Sequence, residues 1–179
     1  MSSSDKDFGV VILENFITKE EADYIIDLYE KLDESETYLD IKKNRKVTVN
    51  PNNDEFKKTI NKVYEKAKEI FSDKELYVAE FMISSYEPGY SMGVHSDLTD
   101  REHFSVSTVL YLNSEFTGGD IIFPVVDKRH APKLGDLALF DSTSKENDHG
   151  VEIVTSGIRY VMPIWITSDK SKALKFIHN

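Results

Sequence analysis

Two histidines and one aspartate are the residues best suited to chemistry in this chain. His95 and Asp97 are separated by a single residue, and His149 follows about fifty positions later. Arg159 comes soon after, in the run IRYVMPIWI. Two imidazoles and a carboxylate can occupy one face of a metal ion and leave its other positions open, which is the donor set of non-heme Fe(II) oxygenases. Side chains two residues apart lie on the same side of a strand, so His95 and Asp97 can reach one ion from a strand end. His149, in the setting DHGV, must arrive from a different strand. A His-x-Asp pair also arises by chance, in which case the three are unrelated polar residues. His103, His130 and His178 have no comparable context and read as surface or packing residues.

Arg159 is the fourth piece. Alternation along IRYVMPIWI puts it on the same face as Val161 and Trp165. A guanidinium on an apolar strand face needs an anionic partner, because an unpaired buried charge is costly. That partner is either an internal Asp or Glu or the carboxylate of a bound molecule gripped in bidentate fashion. Tyr111 and Tyr86 either pack as ordinary strand tyrosines or add phenolic hydroxyls to such a grip.

Composition narrows the function classes. The chain has 179 residues, 40% of them apolar, which fits one domain, 1–179, with a sizeable core and a loose polar start over 1–7. It carries 22 basic against 32 acidic residues, a formal net charge of −10, which argues against a nucleic-acid partner. There is no cysteine, so disulfides, thiolate metal sites and thiol catalysis are excluded. The start MSSSDKDFG has no basic segment followed by an apolar run, and no apolar stretch is long enough for a membrane span. The expected location is cytoplasmic, with no membrane partner; the oligomeric state is not legible.

Several elements must position these residues. FGVVILE reads as a short strand. Thr18 followed three residues later by Glu21 is a capping box, and the helix after it aligns Ala22, Ile25, Ile26, Tyr29 and Leu32. The polar stretch 33–53 reads as a surface loop. A second helix aligns Phe56, Ile60, Val63, Tyr64, Ala67, Ile70 and Phe71, with a Lys/Glu-rich solvated face opposite. From residue 75 onward short β-type runs alternate with turn signals: YVAEFMISSYE, HFSVSTVLYLN, IIFPVVD, DLALF, GVEIV, IRYVMPIWI and ALKFIHN. This predicts an α+β, mainly β fold: a sandwich or barrel with two N-terminal helices covering one face of a sheet. Residues 89–94, 96–102 and 142–148 are expected to be loops that grip substrate and close over the site.

These pieces together resemble the prolyl 4-hydroxylase-like branch of the 2-oxoglutarate/Fe(II)-dependent dioxygenases. VVILENFITKEEADYIIDLYE is similar to the strand, turn and helix that open such domains. YEPG followed by His95-Ser-Asp97 resembles the family's Tyr-Pro-Gly stretch leading into His-x-Asp. TVLYLN, GGDIIFP and PKLGDLALF resemble its next core strand, its Gly-Gly element and its Pro-x-x-Gly turn. His149-Gly150, Arg159 and Trp165 are similar to its closing ligand, carboxylate anchor and aromatic. Arg159 stands where collagen-type and plant-type members usually have Lys. Phe104, with Arg101 nearby, stands where the oxygen-sensing relatives have a substrate-contacting Arg.

The resemblance implies a double-stranded β-helix, or jelly roll, with iron at one mouth. It implies that His95, Asp97 and His149 ligate Fe(II), that Arg159 and Tyr111 hold the distal carboxylate of 2-oxoglutarate, and that Tyr86 lines the co-substrate pocket. The implied reaction consumes O₂, converts 2-oxoglutarate to succinate and CO₂, and hydroxylates a prolyl residue of a peptide or protein; ascorbate is an expected further cofactor. A free amino acid, another side chain or a small metabolite would be served by the same four residues. A non-catalytic jelly-roll binding module and a zinc hydrolase on His, Asp and His are readings from other classes, and Arg159 has no task in the second.

Overall fold

Alternation along the strand containing Arg159 sets the layers of the protein. In the computed structural model, which describes residues 9–32, 38–40, 45–51, 53–98 and 102–178, strand β13 spans Arg159–Thr167. Met162, Ile164 and Ile166 belong to one apolar core, whereas Val161 belongs to a second and Arg159 and Trp165 line a cavity. One strand thus faces a packed layer on one side and a chemical site on the other, as the period-2 geometry of a pleated strand requires.

The other strands are β1 (Val10–Leu13), β2 (Tyr38–Asp40), β3 (Arg45–Val49), β4 (Tyr77–Tyr86), β5 (Met92–His95), β6 (Phe104–Tyr111), β7 (Phe116–Gly118), β8 (Ile121–Phe123), β9 (Lys128–His130), β10 (Leu137–Asp141), β11 (His149–Val151) and β12 (Val154–Gly157). Among the described residues they form a seven-stranded sheet in the order β1-β10-β6-β13-β4-β3-β2, a four-stranded sheet β5-β11-β8-β9 and a pair β12-β7. Each described pairing is antiparallel. The core between the two larger sheets includes Ala138 and Phe140 of β10 with Ile121, Phe123 and Val151 of the smaller sheet. This is the double-stranded β-helix.

The opposite face of the large sheet is covered by helices. Helix α1 (Lys19–Glu30) starts at the expected capping box: Glu21 N–H donates to Thr18 Oγ1 at 3.2 Å, and Thr18 N–H donates to Glu21 Oε2 at 3.0 Å. It buries Ala22, Ile25 and Tyr29, and the Tyr29 hydroxyl donates to the Lys46 carbonyl at 2.8 Å. Helix α2 (Lys57–Ile70) buries Thr59, Ile60, Val63 and Ala67 and follows a 3-10 turn capped by Asn53. None of the described helices is long and apolar enough to cross a membrane.

Four expectations need correction. The stretch 33–53 is not a surface loop where it is described: β3 pairs along β4 and enters the large sheet. Residues 92–95 form β5 rather than a loop. IIFPVVD and GVEIV are not continuous strands: Pro124 starts a 3-10 turn directly after β8, and residues 152–153 separate β11 from β12. ALKFIHN is not a strand either: Lys175–His178 forms the short helix α3, where Ile177 and Phe176 pack on the core and Val78 N–H donates to His178 Nε2 at 2.8 Å. The residues expected to be loose, 1–7, lie outside the described residues, as does Arg101.

Candidate metal centre

Strand register brings the two histidines together. β11 pairs with β5 so that His149 lies directly opposite His95, with ring centroids 4.6 Å apart. Gly150 permits this approach: a Cβ there would lie 2.9 Å from the Met92 carbonyl oxygen and 3.2 Å from Val94 N. Asp97 sits in the turn just past β5. Its Oδ1 lies 3.4 Å from His95 Nε2 and 4.0 Å from His149 Nε2. The three donor atoms lie within 4.8 Å of one another and could hold one ion.

Each donor is aimed by a second contact. His95 Nδ1 lies 3.1 Å from the Gly93 carbonyl, and His149 Nδ1 lies 3.1 Å from the Asn147 carbonyl. A proton on Nδ1, donated to the carbonyl, turns Nε2 of each ring toward the shared site, where His95 Nε2 donates to Asp97 in the metal-free protein and would give up that proton to bind an ion. Asp97 Oδ2 accepts hydrogen bonds from Ser107 Oγ at 2.5 Å and Trp165 Nε1 at 3.0 Å, which leaves Oδ1 facing the histidines. Burial alone would raise the Asp97 carboxyl. The hydrogen bond from His95, the neighbouring charge of His149, and Ser107 and Trp165 outweigh it and hold the group at about 2. Burial lowers His149 from the usual imidazole range, and the hydrogen bond to Asp97 raises His95. At neutral pH the site therefore offers a carboxylate and a neutral His149, the forms that bind metal.

The centre opens into a cavity of about 300 Å³ whose lining includes Tyr86, Tyr90, Arg159, Phe104, Val161 and Trp165. Arg159 is 2% exposed, and among the described residues no carboxylate forms an ion pair with it. Its Nε has no hydrogen-bond partner, and its guanidinium sits 5.5 Å from the Tyr86 ring and 5.3 Å from the Tyr111 ring. Tyr111 is enclosed beside Arg159, its hydroxyl is buried without a partner, and burial pushes that hydroxyl up to about 12. Gly119 makes room: a Cβ there would meet Arg159 Cδ at 2.8 Å. A buried cation and a buried phenol, both with unsatisfied polar atoms, form a receptor for an anion. The His/Asp/His donors and this receptor fit Fe(II) and 2-oxoglutarate, a dicarboxylate able to chelate the ion at one end.

Sequence reasoning missed several wall residues. Tyr90 stacks on Tyr86 with centroids 4.0 Å apart, and Arg45 of β3 and Glu80 of β4 also line the cavity. Tyr90 could have been found from its place in the same YEPGY turn as Tyr86. Ser107 had no signal. Phe104 does line the cavity and stacks on Trp165 at 5.6 Å with an interplanar angle of 14°. His130 lies 2.9 Å from buried Asp136, away from the metal centre.

A jelly roll with a His/Asp/His cluster and a cationic pocket beside it could hold a metal ion and an anionic ligand side by side. Residues 81–167 match the family model described as the 2OG-Fe(II) oxygenase superfamily. Prolyl 3-hydroxylase 2 of Gallus gallus is 40% identical over 68 residues, covering 35% of this chain and 10% of the relative. The match thus spans about a tenth of the length of that curated relative. Among solved structures, the viral collagen prolyl hydroxylase from Paramecium bursaria Chlorella virus-1, in its 2OG complex, superposes with a TM-score of 0.73 at 19% identity, covering 94% of this chain and 100% of that one. The Trichoplax adhaerens prolyl hydroxylase in complex with a hypoxia inducible factor oxygen degradation domain peptide fragment gives 0.71 at 18% identity, covering 93% and 86%. At these identities the two structures speak for the fold.

Proposed function

We propose that the protein is an Fe(II)- and 2-oxoglutarate-dependent dioxygenase that hydroxylates a prolyl residue of a peptide or protein. The observation that carries this reading is the placement of His95 opposite His149, with Asp97 Oδ1 within 4.0 Å of both rings' Nε2, in the lining of a cavity that also includes Arg159, whose Nε has no hydrogen-bond partner among the described residues. His95, Asp97 and His149 hold the metal. Arg159 and Tyr111 take the distal carboxylate of 2-oxoglutarate, and Tyr86 lines the path between that carboxylate and the metal. Iron and 2-oxoglutarate, when bound, would supply the oxidising power to split O₂ between the two products, one oxygen atom into a C–H bond and the other into succinate, with release of CO₂.

The chain's own residues bind, orient and exclude water. The backbone carbonyls of Gly93 and Asn147 fix the histidine rings, and Ser107 and Trp165 fix the carboxylate. Phe104, Val109, Val161, Pro163 and Trp165 give the cavity an apolar wall suited to a pyrrolidine ring. The curated prolyl 3-hydroxylase relative and the peptide-bound neighbour support a prolyl substrate within a polypeptide. The test is incubation with Fe(II), ascorbate, 2-oxoglutarate and a panel of proline-rich peptides, read by mass spectrometry. A peptide product heavier by one oxygen, formed with stoichiometric succinate, is expected. Succinate release stimulated only by free amino acids or small metabolites would overturn the peptide assignment, and no succinate release under any condition would overturn the oxygenase itself.

A further inference from the structure

Two of the three proposed ligands are aimed by one short segment. Residues 141–147 run from the last residue of β10 almost to β11 and contain Ser142 and Asn147, which are 4% and 3% exposed. The Asn147 carbonyl lies 3.1 Å from His149 Nδ1, and Ser142 Oγ lies 2.6 Å from Ser107 Oγ, which in turn is 2.5 Å from Asp97 Oδ2. The direction of that chain follows from charge. Asp97 is ionised and only accepts, so Ser107 donates to it, and the remaining hydrogen bond runs from Ser142 to Ser107. Successive hydroxyl donors polarise one another, so Ser142 strengthens the grip of Ser107 on the carboxylate.

The segment is folded on itself. Asn147 Nδ2 donates to the Asp141 carbonyl at 2.9 Å, and Thr143 N–H donates to Asp141 Oδ1 at 2.8 Å. From outside, Lys74 donates to Asp141 Oδ2 at 3.1 Å, and Ser142 N–H donates to the Ser105 carbonyl at 3.1 Å. The Asn147 side chain closes the segment, while its main chain orients His149.

We propose that Ser142 and Asn147 are positioning residues that make 141–147 a single clamp on Asp97 and His149, and that this clamp sets metal affinity. The inference rests on the metal assignment proposed above. Neither residue contacts the ion. Ser142 acts on Asp97 through Ser107, and Asn147 acts on His149 by holding the peptide group that fixes its ring. Contacts one shell out from metal ligands are commonly worth about 10–100-fold in affinity. Because both residues act through one segment, their losses are not independent.

The test is Co(II) binding to the purified full chain, read by chelator competition and by the visible absorption of the bound ion, with no turnover involved. Ser142→Ala and Asn147→Ala are each expected to weaken Co(II) binding by about 10-fold or more and to change the absorption envelope. Ser142→Thr, which keeps the hydroxyl, is expected to restore both. The double variant should lose less than the product of the two single losses. If Asn147→Ala unfolds the protein, Asn147→Ser, which keeps a short donor, replaces it with the same expectation at smaller amplitude. Folded variants that bind Co(II) with wild-type affinity and spectrum would overturn the clamp while leaving the metal site intact. Absence of Co(II) binding by the wild-type chain would overturn the metal assignment together with the clamp.

Discussion

Arg159→Met separates a co-substrate anchor from a structural ion pair. The guanidinium is buried, with an unsatisfied Nε and no carboxylate partner among the described residues. Removing one member of a buried charge pair costs about 2–5 kcal/mol of binding, or about 30- to 5,000-fold in the dissociation constant of 2-oxoglutarate. With Mn(II) in place of iron and 2-oxoglutarate at about 100 times its wild-type dissociation constant, linkage stabilises the wild type by about 2.7 kcal/mol. For a chain of this size that raises the melting temperature by about 5–11 °C. In Arg159→Met the same concentration gives at most about 0.9 kcal/mol, or about 2–4 °C. The ligand-free comparison is equally informative. The variant loses ring contacts to Tyr86 and Tyr111, worth about 0.5–2 kcal/mol, and also sheds a desolvated charge, so its own melting temperature should move by only a few degrees. Differential scanning fluorimetry with and without 2-oxoglutarate measures both quantities. A full co-substrate shift in the variant would refute the anchor. A collapse of ligand-free stability by about 3–5 kcal/mol would show that Arg159 neutralises an internal carboxylate.

Other perturbations test the scaffold. Phe81 is fully buried against Phe56 and Phe176, and Phe81→Ala should cost about 3–5 kcal/mol in urea unfolding; a loss under 1 kcal/mol would mean that this layer is not packed as described. Thr18→Ala removes half of the α1 capping box and should cost about 1 kcal/mol, whereas Thr18→Ser should be close to neutral. The Asp97 carboxyl titrates at about 2, below its ordinary 3.8. Its contribution of about 2 kcal/mol is therefore present above pH 3.8 and lost as the pH falls toward 2. Metal-free Asp97→Asn should lack this part of the acid-unfolding curve, and an unchanged curve would show that the site does not hold a depressed carboxylate.

The parts of the fold legible in the sequence were those encoded locally. The Thr18–Glu21 box and the stripe of α2 depend on residues three and four apart, and the alternation of β13 depends on residues two apart. β3 was missed because Arg45 and Lys46 hide a strand whose reason to exist is its non-local partner β4. β5 was missed because Gly93 and Val94 are both exposed, so MGVH carries no apolar alternation. Leu174, Phe176 and Ile177 mimic a strand, yet the backbone turns into a helical hook that His178 fastens to Val78. At the site, residue types pointed to the three donors that the fold brings together. Nothing in the sequence distinguished Ser107 and Ser142 from any other serine, since a hydroxyl gains its role only from what the fold places within 3 Å of it.

The position of β5 at the margin of the smaller sheet has a consequence for the protein without its ion. β5 is joined to β11 through only two registered pairs, His149 with His95 and Val151 with Met92, with an irregularity between them. On the proposed metal assignment, a cation bridging the first pair would rivet that ribbon in place. Its loss leaves a short, loosely stitched margin bearing unpaired amides and carbonyls, the kind of edge through which chains self-associate.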